Sequence, residues 1–443
     1  MFICVGVIIG IFAITKGRDG AWIPHPIACA QCNIVIIQID PLRADALAAY
    51  GNTRVTTPAL DEMVKNGYVF THAFAVAPWT LPSVMSMMTG VYPSTHTVIN
   101  KERIPSGENT TLVPARLPDT IATLAQVLKD SGYVTGGFAG GAALASSYGF
   151  NRGYDQYMSE GTFDGLPQVM PSALEFIRVH RNEKMFVFIH GFDVHGQYVP
   201  KEGYTHMFTK EYSGSLNGSA DEQKRIREEG VMNGRVFLSQ EDTQFLRGLY
   251  DEKMVRADDM VRLVLDEIKS LQLMEKTIVL FTSNHGDEFY EHGRIDHGMT
   301  LFDEVLRIPF ILVVPGQRKQ TYVDAQVRNI DIAPTLLELI RQKPTDGFAK
   351  QQMGVSLVPL LQGKTMRLDV FAETDYRYAT FKKAIRTWDN WKFISNTEDH
   401  SSELYHIESD SKELKNVLYT EQKKKTELMN KLLQFTVQGQ SGK

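Results

Sequence analysis

The chain has 443 residues, 43% hydrophobic and 22% charged, with a formal net charge of −5 and only three Cys. That is ordinary globular composition, and the chain is long enough to bury a large core. No basic block points to a nucleic-acid partner, and three Cys are too few for a disulfide framework or a zinc ribbon.

Residues 2–14 are apolar throughout. The run is short for a membrane-spanning helix, which needs about 17–25 residues, but it suits an export signal or the remainder of an anchor. Residues 1–32 are therefore expected to form a leader and linker, with possible membrane attachment through residues 2–14 and an extracytoplasmic location for the bulk. Residues 33–39 are a near-continuous apolar run, the pattern of a parallel strand covered on both faces. Asp40 stands at its end, a ligand candidate where strand tips face a crevice. A short helix is expected around Leu60–Val64, ending near Gly67, and an extended segment starts at Val69-Phe70. Pro82 fits the first turn of a helix stopping at Gly90. Thr80 then lies at the helix N-terminus, where free N–H groups favour an anion. Its hydroxyl is a nucleophile or merely a cap.

Residues 101–118 read as an irregular loop. Asp119 to Ser131 reads as a helix capped by Asp119, Val134–Phe138 as a strand, and 185–189 as a buried strand leading into His190 and His195. Residues 213–235 read as a surface insertion, and 240–271 as one or two amphipathic helices. The apolar run 277–282 then stops at Ser283-Asn284-His285-Gly286, and His292 and His297 follow closely. Three of the twelve His of the chain crowd into this stretch. A strand is expected over Ile308–Val314, a helix over Asp331–Ile340 and a strand at Val370–Ala372. Shorter strands and a charged helix bearing Lys423–Lys425 close the chain. The alternation of elements indicates an α/β fold.

Asn33–Asp40, the Thr-Pro-x-Leu-Asp at 57–61, Thr80–Gly90 and Ser283–Gly286, in that order, resemble the sulfatase family of the alkaline-phosphatase superfamily. Ala384–Thr387 and Glu403–Tyr405 resemble that family's C-terminal region. The resemblance implies an alkaline-phosphatase-like α/β sandwich with a largely parallel central sheet flanked by helices, over residues 33–375. A small C-terminal α+β subdomain would occupy residues 376–443. It also implies one divalent metal ion (calcium, magnesium, manganese or zinc) held by Asp40, Thr80, Asn284 and His285. His195 would protonate the leaving oxygen and His297 would contact the transferring oxyanion. His292 is expected to position the loop, His190 and His96 to be structural, and Arg43 and Asp45 to hold the first loop together.

The departures from the family pattern carry as much information as the matches. Thr80 stands where the family oxidises Cys or Ser to formylglycine, and Val84 replaces the Arg of that motif. Gly140 and Ala142 occupy the places of a Gly-Lys-x-His sulfate clamp. Pro41 and Asn284 each stand where acidic ligands are usual, and fewer charged ligands weaken ion binding. A phosphorylated Thr is a workable intermediate, because water can attack phosphorus. The expected function is thus a metal-dependent hydrolase or transferase of phosphate or phosphonate esters, of phosphodiesterase or phosphotransferase type. Its substrate would be a small-molecule, glycan or lipid-linked ester. The alternatives are a sulfuric ester hydrolase working without formylglycine, and a non-catalytic binding protein on the same fold.

Overall fold

The computed structural model describes residues 28–106, 109–231 and 237–441. The apolar stretch 2–14, the basis of the leader and membrane-attachment expectations, lies outside them. Among the described residues, no helix is long and apolar enough to cross a membrane.

A nine-stranded sheet forms the centre. Its first strand, Asn33–Ile39, is buried at every position and runs parallel to Met185–Gly191 on one side and Thr277–Thr282 on the other. Its side chains alternate between two cores. Ile34 and Ile36 join a cluster containing Leu81, Val84 and Met85 of helix Thr80–Thr89 and Leu336 of helix Ile332–Leu339. Val35, Ile37 and Ile39 join a cluster with Leu166, Met170 and Phe176 of helix Leu166–Val179 and Met254, Val261 and Leu265 of helix Gln240–Ser270. A strand buried on both faces between two helical layers makes an α/β/α sandwich, as its apolar run requires. Beyond the parallel core, Phe310–Val313 adds antiparallel to Thr277–Thr282 and to Tyr68–Phe74.

A separate antiparallel sheet follows, made of Val370–Thr374, Lys382–Arg386, Trp391–Asn396 and Ser402–His406. Helix Gln422–Ser441 packs on it through Leu428, Leu432 and Phe435, with Phe435 stacked on Phe371 at 4.1 Å. Lys423–Lys425 belong to this helix. Lys392 ties the sheet to the main body. Its side chain is fully buried and its ammonium lies 2.7 Å from both Asp303 Oδ1 and Glu413 Oε1.

Several expectations need correction. Residues 101–118 contain a hairpin, Lys101–Ser106 against Asn109–Pro114, that Pro105 and the polar Thr pair obscure. The helix after it is Leu124–Asp130, capped by Thr123 and not by Asp119. Thr123 and Gln126 form a reciprocal capping box that outcompetes an Asp on the preceding turn. The strand expected over 308–314 is interrupted at Pro309, which has no N–H for the ladder. Residues 240–270 form one helix of 31 residues. The insertion at 213–235 is not wholly superficial, because Gln223 and Ile226 are buried. Cys29 and Cys32 pair as a disulfide, although no second pair marked a framework.

Replacing Lys392 by Met leaves the buried Glu413 without its cation and Asp303 with Arg386 alone. Losing one partner of a buried ion pair costs about 3–5 kcal/mol. Equilibrium denaturation in urea should show that loss; an unchanged midpoint would mean the triad adds nothing to stability.

Candidate functional site

Three strand tips and one helix N-terminus bring the site together. Asp40 follows Asn33–Ile39, His190 lies near the end of Met185–Gly191, and Asn284 and His285 follow Thr277–Thr282. Parallel pairing in register places these carboxyl ends side by side, with Gln38 opposite both His190 and Thr282. The fourth contributor is Thr80, the first residue of helix Thr80–Thr89, whose end is set by Gly90 in the left-handed region (φ 71°). Asp40, Thr80, His190, Asn284 and His285 are all buried.

Asp40 is the hub. Its Oδ2 accepts from Thr80 Oγ1 at 2.9 Å and from Asn284 Nδ2 at 2.7 Å, and lies 3.1 Å from His190 Nε2. Burial alone would raise the carboxyl pKa. The His190 hydrogen bond and the nearby His285 outweigh burial and hold the group well below the usual carboxylate range. Asp40 Oδ1 is buried and has no hydrogen-bond partner among the described residues.

The other atoms facing Oδ1 are also short of hydrogens. His285 Nδ1 lies 2.9 Å from the Gly286 carbonyl, so that nitrogen carries the hydrogen and the lone pair sits on Nε2. Burial, reinforced by the charge of His297, lowers the His285 pKa to about 3 and keeps the ring neutral. His285 Nε2 then faces Asp40 Oδ1 and Thr80 Oγ1, each at 3.4 Å. The single Thr80 hydrogen is directed to Asp40 Oδ2. Three lone-pair atoms thus face one another with no hydrogen between them, and oxygen and imidazole donors so placed suit a divalent cation. Asn284 turns its amide nitrogen to Asp40, while its Oδ1 accepts from the His285 N–H at 3.1 Å. As a ligand it would have to present that oxygen instead.

A second group stands beside the first. His297 Nδ1 lies 2.7 Å from Asp287 Oδ1 and 2.8 Å from Asp296 Oδ1. Burial opposes its charge, but the two carboxylates raise its pKa well above the ordinary value. Asp287, Asp296 and His297 have ligand atoms within 4.8 Å of one another; a protonated imidazole between two carboxylates accounts for that grouping without a metal. The His297 ring lies 4.3 Å from His285 and 5.1 Å from His195, centroid to centroid. His195 donates from Nδ1 to the Gly196 carbonyl at 2.7 Å, and burial, then the charge of His297, lowers its pKa. Thr80, His195 and His297 open together onto a cavity of about 950 Å³, with Trp79, Phe163 and Tyr376 in its walls.

All six residues singled out from the sequence as site candidates therefore meet in one region. His292 does not join them: it stacks on Phe302 at 3.6 Å and sits 3.5 Å from Glu304. His96 is buried against Ser86 and the Val98 N–H. Arg43 bridges Asp45, Glu291 and the Asp287 carbonyl, so it does hold the first loop. The sequence reading missed His190, Asp287 and Asp296 as parts of the site. His190 was detectable as a polar residue at the tip of a strand adjacent to the Asp40 strand. Asp287 and Asp296 gave no signal, because their meeting on His297 depends on the turn between Glu288-Phe289 and Ile295-Asp296.

Comparison with known proteins gives the same fold and the same assignment. The family model described as Sulfatase matches residues 32–342, and one described as N-sulphoglucosamine sulphohydrolase, C-terminal, matches residues 290–439. The chain belongs to the sulfatase family. A Δ4,5-hexuronate-2-O-sulfatase of Bacteroides thetaiotaomicron is 23% identical, over 87% of this chain and 84% of that protein. An arylsulfatase of Clostridium perfringens is 21% identical, over 92% and 94%. A solved structure of a protein with its substrate D-glucosamine-2-N,6-O-disulfate superposes with a TM-score of 0.74 at 19% identity, covering 93% of this chain and 98% of that one. The phosphonate monoester hydrolase of Agrobacterium radiobacter superposes with a TM-score of 0.72 at 20% identity, covering 92% and 96%. Divalent-metal binding is general in this family, and the lone-pair cluster around Asp40 is chemically suited to it.

Two measurements test this electrostatic picture. Asn284→Asp adds a formal charge to the cluster and should tighten manganese binding by about tenfold or more, read by titration calorimetry; unchanged affinity would place the ion elsewhere. Asp296→Asn should lower the His297 pKa by at least about one unit in an NMR titration. The sign for stability follows. A raised His pKa contributes fully below the unfolded value of about 6.5 and is lost as pH rises through the folded value. Asp296→Asn should therefore destabilise the chain more at pH 6 than at high pH, and an equal effect at both would contradict the assignment.

Proposed function

We propose that this sulfatase-family protein is a metal-dependent hydrolase or transferase of phosphate or phosphonate esters, with Thr80 Oγ1 as its covalent nucleophile. The observation that carries the reading is the placement of that hydroxyl. It is buried at the N-terminus of a ten-residue helix, is hydrogen-bonded to an ionised carboxylate and opens onto the main cavity. Threonine already bears a methyl on Cβ, so oxidation there gives a ketone and not the aldehyde that formylglycine chemistry needs. A sulfated Thr80 would also lack the second hydroxyl that expels sulfate. A phosphorylated Thr80 has no such need, since water can attack phosphorus directly.

The residues divide the work as follows. Asp40 accepts the Thr80 hydrogen bond, which aims an oxygen lone pair into the cavity; it takes that proton as Thr80 attacks and returns it when water releases the phosphoryl group. The helix N-terminus favours the charge of the bound ester. His297, kept protonated by Asp287 and Asp296, donates toward the oxyanion. His195 is neutral at rest and adjoins the protonated His297, so a proton passed on from His297 reaches the leaving oxygen through it, and the incoming water returns one along the same path. A divalent ion held by Asp40, Thr80 and His285, with Asn284 if its amide turns over, would acidify the hydroxyl and offset charge on the ester. The Cys29–Cys32 disulfide and the apolar residues 2–14 support an extracytoplasmic location.

Because the curated relatives are sulfatases, a second reading is direct hydrolysis of sulfate esters at the same site. The experiment compares 4-nitrophenyl phenylphosphonate, bis(4-nitrophenyl) phosphate and 4-nitrophenyl sulfate with added manganese or zinc. The phosphorus esters should turn over faster, chelation should abolish turnover, and Thr80→Ala should lower kcat by at least about 10³-fold. Turnover of the sulfate alone would support the second reading. Activity retained in Thr80→Ala would remove Thr80 as nucleophile.

A further inference from the structure

The cavity above Thr80 holds a cation that the ester chemistry does not use. Lys253 lies on helix Gln240–Ser270, one turn beyond Tyr250, whose hydroxyl is 3.1 Å from the Pro41 carbonyl and 2.9 Å from the Arg43 N–H. These bonds fix the helix against the loop that carries Asp40. The Lys253 ammonium donates to the His195 carbonyl.

Other cations of this wall are committed. Arg227 pairs with Asp296 at 3.2 Å, and His297 lies between Asp287 and Asp296. Lys253 lines the cavity, and the hydrogen bond its ammonium makes among the described residues goes to the His195 carbonyl and not to a carboxylate. Burial pushes its pKa down to about 8, opposed by the more distant Asp193 and Asp287, so it is mainly charged at neutral pH. A partly dehydrated ammonium without a counterion is an unfavourable arrangement that a bound anion would relieve.

Its position says which anion. His297 lies 4.3 Å from His285 and 5.1 Å from His195, and Lys253 sits on the His195 carbonyl, lining the same cavity as Thr80, His195 and His297. Lys253 thus adjoins, on the His195 side, the pair that faces the ester and its leaving oxygen. On the other wall, Arg377 lies over the Tyr376 ring and Tyr376 meets Trp79 edge-on at 5.2 Å, so that side is also basic. We propose that Lys253 is a specificity-determining residue that binds a second oxyanion, a carboxylate or another phosphate or sulfate group, carried by the leaving alcohol beside the ester attacked by Thr80. The substrate class is thereby a polyanionic ester. The proposal rests on the reading of Thr80 above for the place of the first ester.

Binding can be read without turnover. Glucose 6-phosphate, 6-phosphogluconate and glucose 1,6-bisphosphate are titrated calorimetrically into the full chain carrying Thr80→Ala, with manganese present. At least one probe with a second anion should bind about tenfold or more tightly than glucose 6-phosphate. Adding Lys253→Met should shrink that ratio to within about twofold, and Lys253→Arg should restore most of it. Glucose 6-phosphate serves as the internal reference for a folded site in every variant. Equal binding of all three probes, or a ratio that survives Lys253→Met, overturns the assignment of Lys253 and leaves the ester reading standing. Binding of none overturns both.

Discussion

The structure turns on one carboxylate. Asp40 Oδ2 gathers a hydroxyl from a helix N-terminus, an amide from one neighbouring strand tip and an imidazole from the other. Three elements far apart in sequence are thereby fixed to within a hydrogen bond of a single, buried oxygen. That convergence requires the first strand to be central and parallel to both partners. The continuous apolar run of residues 33–39 supplies this, since only a strand covered on both faces can be so uniformly apolar. The other oxygen of Asp40 is left facing a neutral imidazole and a hydroxyl oxygen, and that arrangement makes the cluster a place for positive charge.

A second charge system is built next to the first and leans on it. His297 holds its proton because two carboxylates surround it, and that charge helps keep His285 and His195 neutral. Three imidazoles in a row therefore carry different protonation states, set by which of them has acidic neighbours. This separation of states is what acid–base chemistry needs. Gly140 and Ala142 offer no cation where the family resemblance leads one to expect a sulfate clamp, yet the cavity is not poor in cations. Arg227 is paired with Asp296, but Lys253 enters from another element and donates to a backbone carbonyl, so the cavity keeps a cation free for an oxyanion.

Much of this was legible in the chain. The strand ending at Asp40, the helix from Thr80 to Gly90 and the ligand-type residues after Thr282 follow from local pattern, because strand tips, Pro at a helix start and Gly at its end leave strong marks. The small C-terminal sheet was also foreseen. What stayed hidden depends on long-range geometry. His190 looked like a core histidine because burial and site membership coincide at that strand tip. Asp287 and Asp296 meet only through a tight turn, and Lys253 becomes a cavity residue only because a 31-residue helix runs past the mouth. The hairpin at 101–114 was masked by Pro105, and the true cap of the following helix, Thr123, by the earlier acidic residue Asp119.

The central claim is that the Thr80 oxygen attacks a tetrahedral ester while Asp40 orients it. Mass spectrometry after rapid acid quench of the chain with a chromogenic phosphodiester or phosphonate tests it most directly. A phosphoryl or phosphonyl adduct is expected, assigned to Thr80 by peptide mapping and absent from Thr80→Ala. Turnover with no adduct at any quench time, or an adduct on another residue, would contradict it.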